Sequence, residues 1–366
     1  MKKRTPRVVA ALALIAVMSV LAVSCGRDAL FWNVSMERPP VRPRVPGGPS
    51  QMAHVSDWGG SDVFFIASGS LFWYGRAHSA GGSNWNFNIG LSQPPGRIVD
   101  VAATTGFLYV LSMVGTGIEA SIWRVQVGVG NPWVQVGGTG GFRTIDAIFA
   151  DGGTLFAAAR GDGAVYSILQ LDDNGTITTV PASAPGMLTG AANGFLSTTS
   201  GIFDDNGDRL VEGNFQGILA MDSGSAIAVR IDGAAWHLYA VTTGAVTRMN
   251  ADTSGRLATG ALAAWDETLA PDGTILVGTR GGYLEFVLDA GATPPIATRR
   301  APGSFESIRY GNYAQFNASL GRHPVNHLFR APPGADANRT LFASTQVGGL
   351  WSFRSRPGGW EWNAEE

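Results

Sequence analysis

The feature that most constrains this chain is a set of short strands that are apolar on both faces. Phe107-Leu108-Tyr109-Val110-Leu111 and Thr274-Ile275-Leu276-Val277 show no alternation of apolar and polar positions. Strands of that texture need cover on both sides. No helical period of 3.6 residues is sustained after residue 52, so the cover must come from other sheets. With only 15% charged residues, against a usual share of about 25%, and 45% hydrophobic ones, a large core can form.

The strands recur as a unit. One copy reads Arg97-Ile98-Val99-Asp100-Val101, Gly106-Phe107-Leu108-Tyr109-Val110, then Ser121-Ile122-Trp123-Arg124-Val125. The next reads Arg143-Thr144-Ile145-Asp146-Ala147, Gly153-Thr154-Leu155-Phe156-Ala157, then Ala164-Val165-Tyr166-Ser167-Ile168. Taking Phe64, Leu108, Leu155, Phe195, Ile227, Ile275 and Leu341 as equivalent anchors gives six steps over 277 residues, about 46 each. Propeller blades run to about 40–50 residues. Stacked blades sandwich each sheet between two neighbours, and ring closure hides the edges. A β-sandwich would not call for seven similar units. Ser83-Asn84-Trp85-Asn86-Phe87-Asn88 parallels Gly358-Gly359-Trp360-Glu361-Trp362-Asn363, so both ends are expected to be complete four-stranded blades. The expected fold is all-β, a single seven-bladed β-propeller over residues 52–366.

Phrases such as Gly153-Thr154-Leu155-Phe156-Ala157 and Val277-Gly278-Thr279-Arg280-Gly281-Gly282 resemble the hairpins of bacterial propellers of the YVTN, NHL and two-component-regulator type. The Trp-Asp dipeptide of WD repeats and the Trp-docking pattern of quinone-type propellers are not maintained.

Lys2, Lys3, Arg4 and Arg7 precede an unbroken small-apolar run, Val8 to Ser24, followed at once by Cys25. Seventeen residues is short for a membrane span. Leu21-Ala22-Val23-Ser24-Cys25 resembles the lipobox of bacterial lipoproteins, with Ala22 where Leu is commonest. The resemblance implies a signal peptide over 1–24, acylation of Cys25 and anchoring far beyond the marginal hold of a single chain. Gly26, rather than Asp, follows the cysteine, which resembles signals sorted to the outer rather than the inner membrane. The Pro-rich stretch Arg38 to Pro49 should be extended and semi-rigid, making 25–51 a tether.

Cys25 is the only cysteine, so no disulfide can form within the chain. Lys2 and Lys3 are the only lysines; losing them with Arg4 and Arg7 from the 26 basic residues leaves 22 against 28 acids, a balance of −6. That argues against nucleic acid as a partner. Neither a Schiff-base lysine nor a P-loop lysine would remain, and no cofactor is implied.

Chemistry-bearing residues are sparse. Asp100, Asp146 and Asp266, with Asn326 in the seventh unit, align at one repeat position on the innermost strand. They read either as acceptors around a central channel, suited to a cation or polar ligand, or as ties that bond backbone N–H groups at turns and between blades. The tie is the preferred reading. His323 and His327 straddle Pro324, and a strand would hold them about 13 Å apart, too far to share one zinc. Asp204-Asp205-Asn206-Gly207-Asp208 lacks the closing Glu of an EF-hand and reads as a hairpin turn. Leu171-Asp172-Asp173-Asn174-Gly175-Thr176 partly resembles a sialidase Asp-box, itself a structural turn. No nucleophile elbow or phosphate loop is present.

One step, Ile275 to Leu341, is 66 residues, about 20 above the mean. The surplus near 303–321 carries Arg309, Tyr310, Tyr313 and Phe316, residue types favoured at contact surfaces. The expectation is a lipid-anchored propeller of the bacterial cell envelope that binds a protein partner or acts as a scaffold. The alternative is a glycan-active hydrolase or lyase with carboxylates at the channel.

Overall fold

The computed structural model describes residues 45, 47–69, 71–76, 85–86, 93–114, 119–128, 132–136, 144–161, 165–221, 224–264, 273–289, 291–300, 320, 323–336, 339–356 and 359–365. All lie in one compact unit, Pro43–Glu366. They form seven sheets in chain order, spanning 52–76, 97–135, 144–179, 188–212, 215–248, 258–300 and 325–364. Each starts at one edge and steps outward strand by strand, antiparallel throughout. Asn250–Ala251 adds a parallel pairing to the outer edge of the sixth. The first strands lie side by side around a central channel: Met52–Val55, Arg97–Ala103, Thr144–Asp151, Leu188–Ala192, Phe215–Ala220, Ala258–Ala264 and Val325–Arg330. This is the expected all-β propeller, and all seven anchors fall in the second strand of their sheets.

The blade count needs correction. Six sheets have four strands or more and make complete blades, rather than the seven expected. Among the described residues the first has three strands. Of its expected outer strand, only Trp85 and Asn86 are described, and no strand includes them. Trp85 instead buries its indole between the first and seventh sheets. It rests on Gly75, where a Cβ would come within 2.9 Å of the ring, and edge-on to Phe342.

The two-faced strands do what their texture requires. Leu108 and Val110 pack toward Phe65 and Val63 of the first sheet, while Tyr109 and Leu111 pack toward Ile145 and Leu155 of the third. Further clusters of the same kind fill each successive interface. The last joins Phe342 and Leu350 of the seventh sheet to Phe64 and Ile66 of the first, and closes the ring. Each buried side chain of this size contributes roughly 1.5–3 kcal/mol, so Leu108→Ala, which empties one interface, should cost about 2–5 kcal/mol.

Closure is also polar. Arg339 donates from Nε to Asp336 (2.7 Å) and from Nη1 to Glu365 (2.9 Å), with all three side chains buried. Glu365 also accepts from Trp85 Nε1 at 2.6 Å and from the Ser352 hydroxyl. Glu365 is thus bonded to the indole that fills the interface between the first and seventh sheets. The end of the expected tether takes part too. Gly48 N–H donates to Thr345 O (3.2 Å), and Ser50 N–H to Ala67 O (2.8 Å). At Gly47 a Cβ would meet Gln346 O at 2.9 Å, so this close approach needs glycine.

Candidate functional site

Six of the seven first strands carry a β-bulge at the same place. The register skips one residue after Ile98, Ile145, Leu188, Phe215 and Val325, and three after Ala258. A bulge adds a residue to one strand and re-aims its side chain. The residues at these irregularities include Asp146, Thr189, Gln216, Thr259 and Asn326, and all five line the channel. Gln51, His327, Phe149 and Phe329 line it as well, around a cavity of about 380 Å³.

Some of these groups are committed to the wall. Thr189 Oγ1 donates to Phe215 O at 3.0 Å, and Thr259 Oγ1 donates to Val325 O, each tying one sheet to the next. At Gly217 an added Cβ would run into the Gly260 carbonyl oxygen, so the fifth and sixth first strands touch backbone to backbone. Other groups keep bonding capacity. Among the described residues, neither the Asn326 nor the His327 side chain makes a hydrogen bond. Asp146 accepts from Arg160 Nη2 at 3.2 Å through Oδ1, while its buried Oδ2 has no partner. Gln216 donates to Asn214 Oδ1 and keeps its own carbonyl free. Burial without a partner pushes the His327 imidazole down to about 4, so it stands neutral at physiological pH.

The aligned acidic residues do not share one position. Ile98 pairs with Ser112 and Ile145 with Ala159, and these pairs are equivalent about the anchors Leu108 and Leu155. Asp100 therefore matches Ala147, one residue past the bulge. Its side chain enters the wall rather than the channel. It accepts from Ile148 N–H of the third sheet (3.1 Å) and Val101 N–H (3.0 Å), with Gln51 Nε2 at 3.4 Å. Burial without a cation lifts its carboxyl to about 7, against the pull of those donors. For Asp100 the tie between blades is the observed role. Asp146 and Asn326 do face the channel. Asp266, Arg309, Tyr310, Tyr313, Phe316 and Cys25 lie outside the described residues.

The two acidic loops are turns. Asp204 Oδ1 accepts from Asn206 N–H (3.0 Å) and Asp208 N–H (2.8 Å), and Asp172 Oδ1 accepts from Thr176 N–H at 2.8 Å. The second turn docks on the neighbouring blade, where Arg124 donates to Asp173 O (2.8 Å) and Thr104 Oγ1 to Asp173 Oδ1 (2.9 Å). His327 sits in a strand as expected. His323 packs beside Trp351, ring centroids 6.2 Å apart. No group of three or more metal-ligating side chains stands together among the described residues.

Sequence reasoning missed Gln51, Thr189, Gln216, Thr259 and the channel position of His327. A local signal existed for three: a polar residue followed by glycine in Thr189-Gly190, Gln216-Gly217 and Thr259-Gly260. The glycines admit the close approach of the next strand that the bulge creates.

No protein-family model matches the chain, and no curated protein matches it. Among solved structures it is similar to Sqt1 of Saccharomyces cerevisiae, at 12% identity over 85% of this chain and 97% of that one, with a TM-score of 0.49. It is similar to YCF48 from Cyanidioschyzon merolae at 14% identity over 71% and 97%, with a TM-score of 0.45. A putative TolB from Agrobacterium tumefaciens follows at 11% over 55% and 80%, with a TM-score of 0.40. Likenesses this distant carry no function across, and the propeller assignment rests on this chain's own sheets and interfaces.

Proposed function

We propose that this chain is a lipid-anchored β-propeller of the bacterial cell envelope that serves as a protein-binding or scaffold module. The anchor is read from Cys25 directly behind the apolar run Val8–Ser24, and outer-membrane sorting from Gly26. The observation that carries the binding role is the closed packing of the ring. Every interface between sheets is filled, and the last is locked by the buried Arg339–Glu365–Trp85 set. A body packed that closely loses little conformational freedom of its own on association. The 303–321 insertion, with Arg309, Tyr310, Tyr313 and Phe316, is the proposed partner surface.

A glycan-active enzyme needs two carboxylates facing one cleft. Asp146 is the one carboxylate among the described channel residues; Arg160 meets its charge, and Asp100 is turned into the wall. The channel favours binding over hydrolysis.

The test is affinity capture from detergent-solubilised membranes, comparing wild type with a deletion of 304–320, alongside fatty-acid labelling of wild type and Cys25→Ser. The expected result is loss of specific partners in the deletion, and loss of label and membrane association in Cys25→Ser. Unchanged partners would remove the proposed surface. Persistent label on Cys25→Ser would remove the anchor.

A further inference from the structure

The channel's free hydrogen-bonding groups tie no sheet to its neighbour, and they line one half-open cavity. We propose that this cavity binds a neutral, hydroxyl-rich small molecule of the size of a monosaccharide. The inference goes beyond the anchored scaffold and does not depend on the anchor or on the 303–321 segment.

Size is the first feature that suits such a ligand. The cavity of about 380 Å³ falls within the roughly 300–1,000 Å³ of small-molecule sites. It is bounded by first strands that side chains and backbone contacts tie to one another, so its shape is held before a ligand arrives.

The second is the pattern of donors and acceptors. Asn326 offers both, His327 offers one donor and one acceptor in its neutral form, and Gln216 offers a carbonyl. A hydroxyl both donates and accepts, so a polyol matches this mixture. An apolar ligand would leave those groups unpaired, which costs free energy in a desolvated site.

The third is charge. Asp146 is met by Arg160, and His327 is held neutral by its surroundings, so these two groups leave the site with no net charge to recruit an ion. Phe149 and Phe329 supply flat apolar wall beside the polar groups, which suits the C–H face of a sugar ring.

The experiment is equilibrium dialysis of the full-length protein in detergent against radiolabelled glucose, galactose, mannose and N-acetylglucosamine, with glucuronate and glucosamine as charged counterparts. At least one neutral sugar should bind saturably, one per chain, and more tightly than either charged analogue. Asn326→Ala and Gln216→Ala should each weaken that binding about tenfold or more, with circular dichroism and melting midpoint at wild-type values. His327→Gln carries the same comparison should one of the alanine variants fail to fold. The proposal is overturned if none of the neutral sugars binds saturably, if the charged analogues bind as well, or if folded channel variants bind like wild type.

Discussion

Asp100 and His327 should tilt the stability of the ring in opposite directions with pH, and single substitutions should expose each slope. Burial lifts the Asp100 carboxyl from its ordinary 3.8 to about 7. The folded ring keeps a proton that the unfolded chain releases, so stability falls as pH rises from 3.8 to about 7 and is level above. Burial lowers His327 from its ordinary 6.5 to about 4. Here the unfolded chain takes up a proton that the folded ring refuses, so stability is lost as pH falls from 6.5 to about 4. One proton of difference changes stability by about 1.4 kcal/mol per pH unit. Over the shared window, about pH 4 to 6.5, each group contributes on the order of 3 kcal/mol, and the two nearly cancel in wild type.

His327→Gln leaves Asp100 uncompensated. Relative to wild type, its stability should fall by about 3 kcal/mol between pH about 4 and about 6.5. Asp100→Asn should show the reverse, a gain of the same order with rising pH. Its baseline will be lower, because the amide sets an N–H against the Ile148 or Val101 donors, but the slope is what is read. The assay is urea denaturation followed by tryptophan fluorescence at half-unit pH steps. Curves for the two variants that run parallel to wild type would refute the reasoning.

Other expectations follow from packing and closure. Glu365→Ala strands the Trp85 N–H and breaks the buried ion set, and should cost about 3–5 kcal/mol in urea denaturation; a loss below about 1 kcal/mol would show that closure does not depend on it. Gly217→Ala drives a methyl into the Gly260 carbonyl and should destabilise by about 1–3 kcal/mol or more, whereas Gly161→Ala, with nothing within 4 Å, should stay near neutral in the same assay. Asp204→Ala removes the acceptor for two turn N–H groups at an exposed site, so thermal melting should report a loss of about 1 kcal/mol or less.

How much of this was legible depends on the range over which each feature acts. Leu108 and Tyr109 are neighbours and both apolar, so the need for two cores is written in adjacent letters, and each went to a different interface. The blade period could be read because each second strand repeats that need. The Asp100–Asp146 alignment failed by one residue, because a bulge changes register without changing composition. Gly47-Gly48 read as spacer because prolines surround the pair, yet Gly47 is needed for backbone contact with Gln346. Trp85 and Glu365 stand 280 residues apart, and nothing local marks either as the other's partner. The channel suffers most from this limit. Its wall draws a few residues from each of several blades, so no stretch of sequence contains the site. Register breaks on five of the first strands set Asp146, Thr189, Gln216, Thr259 and Asn326 on its wall. A propeller's ring is therefore readable from texture, whereas its binding chemistry becomes readable only once the register of every first strand is known.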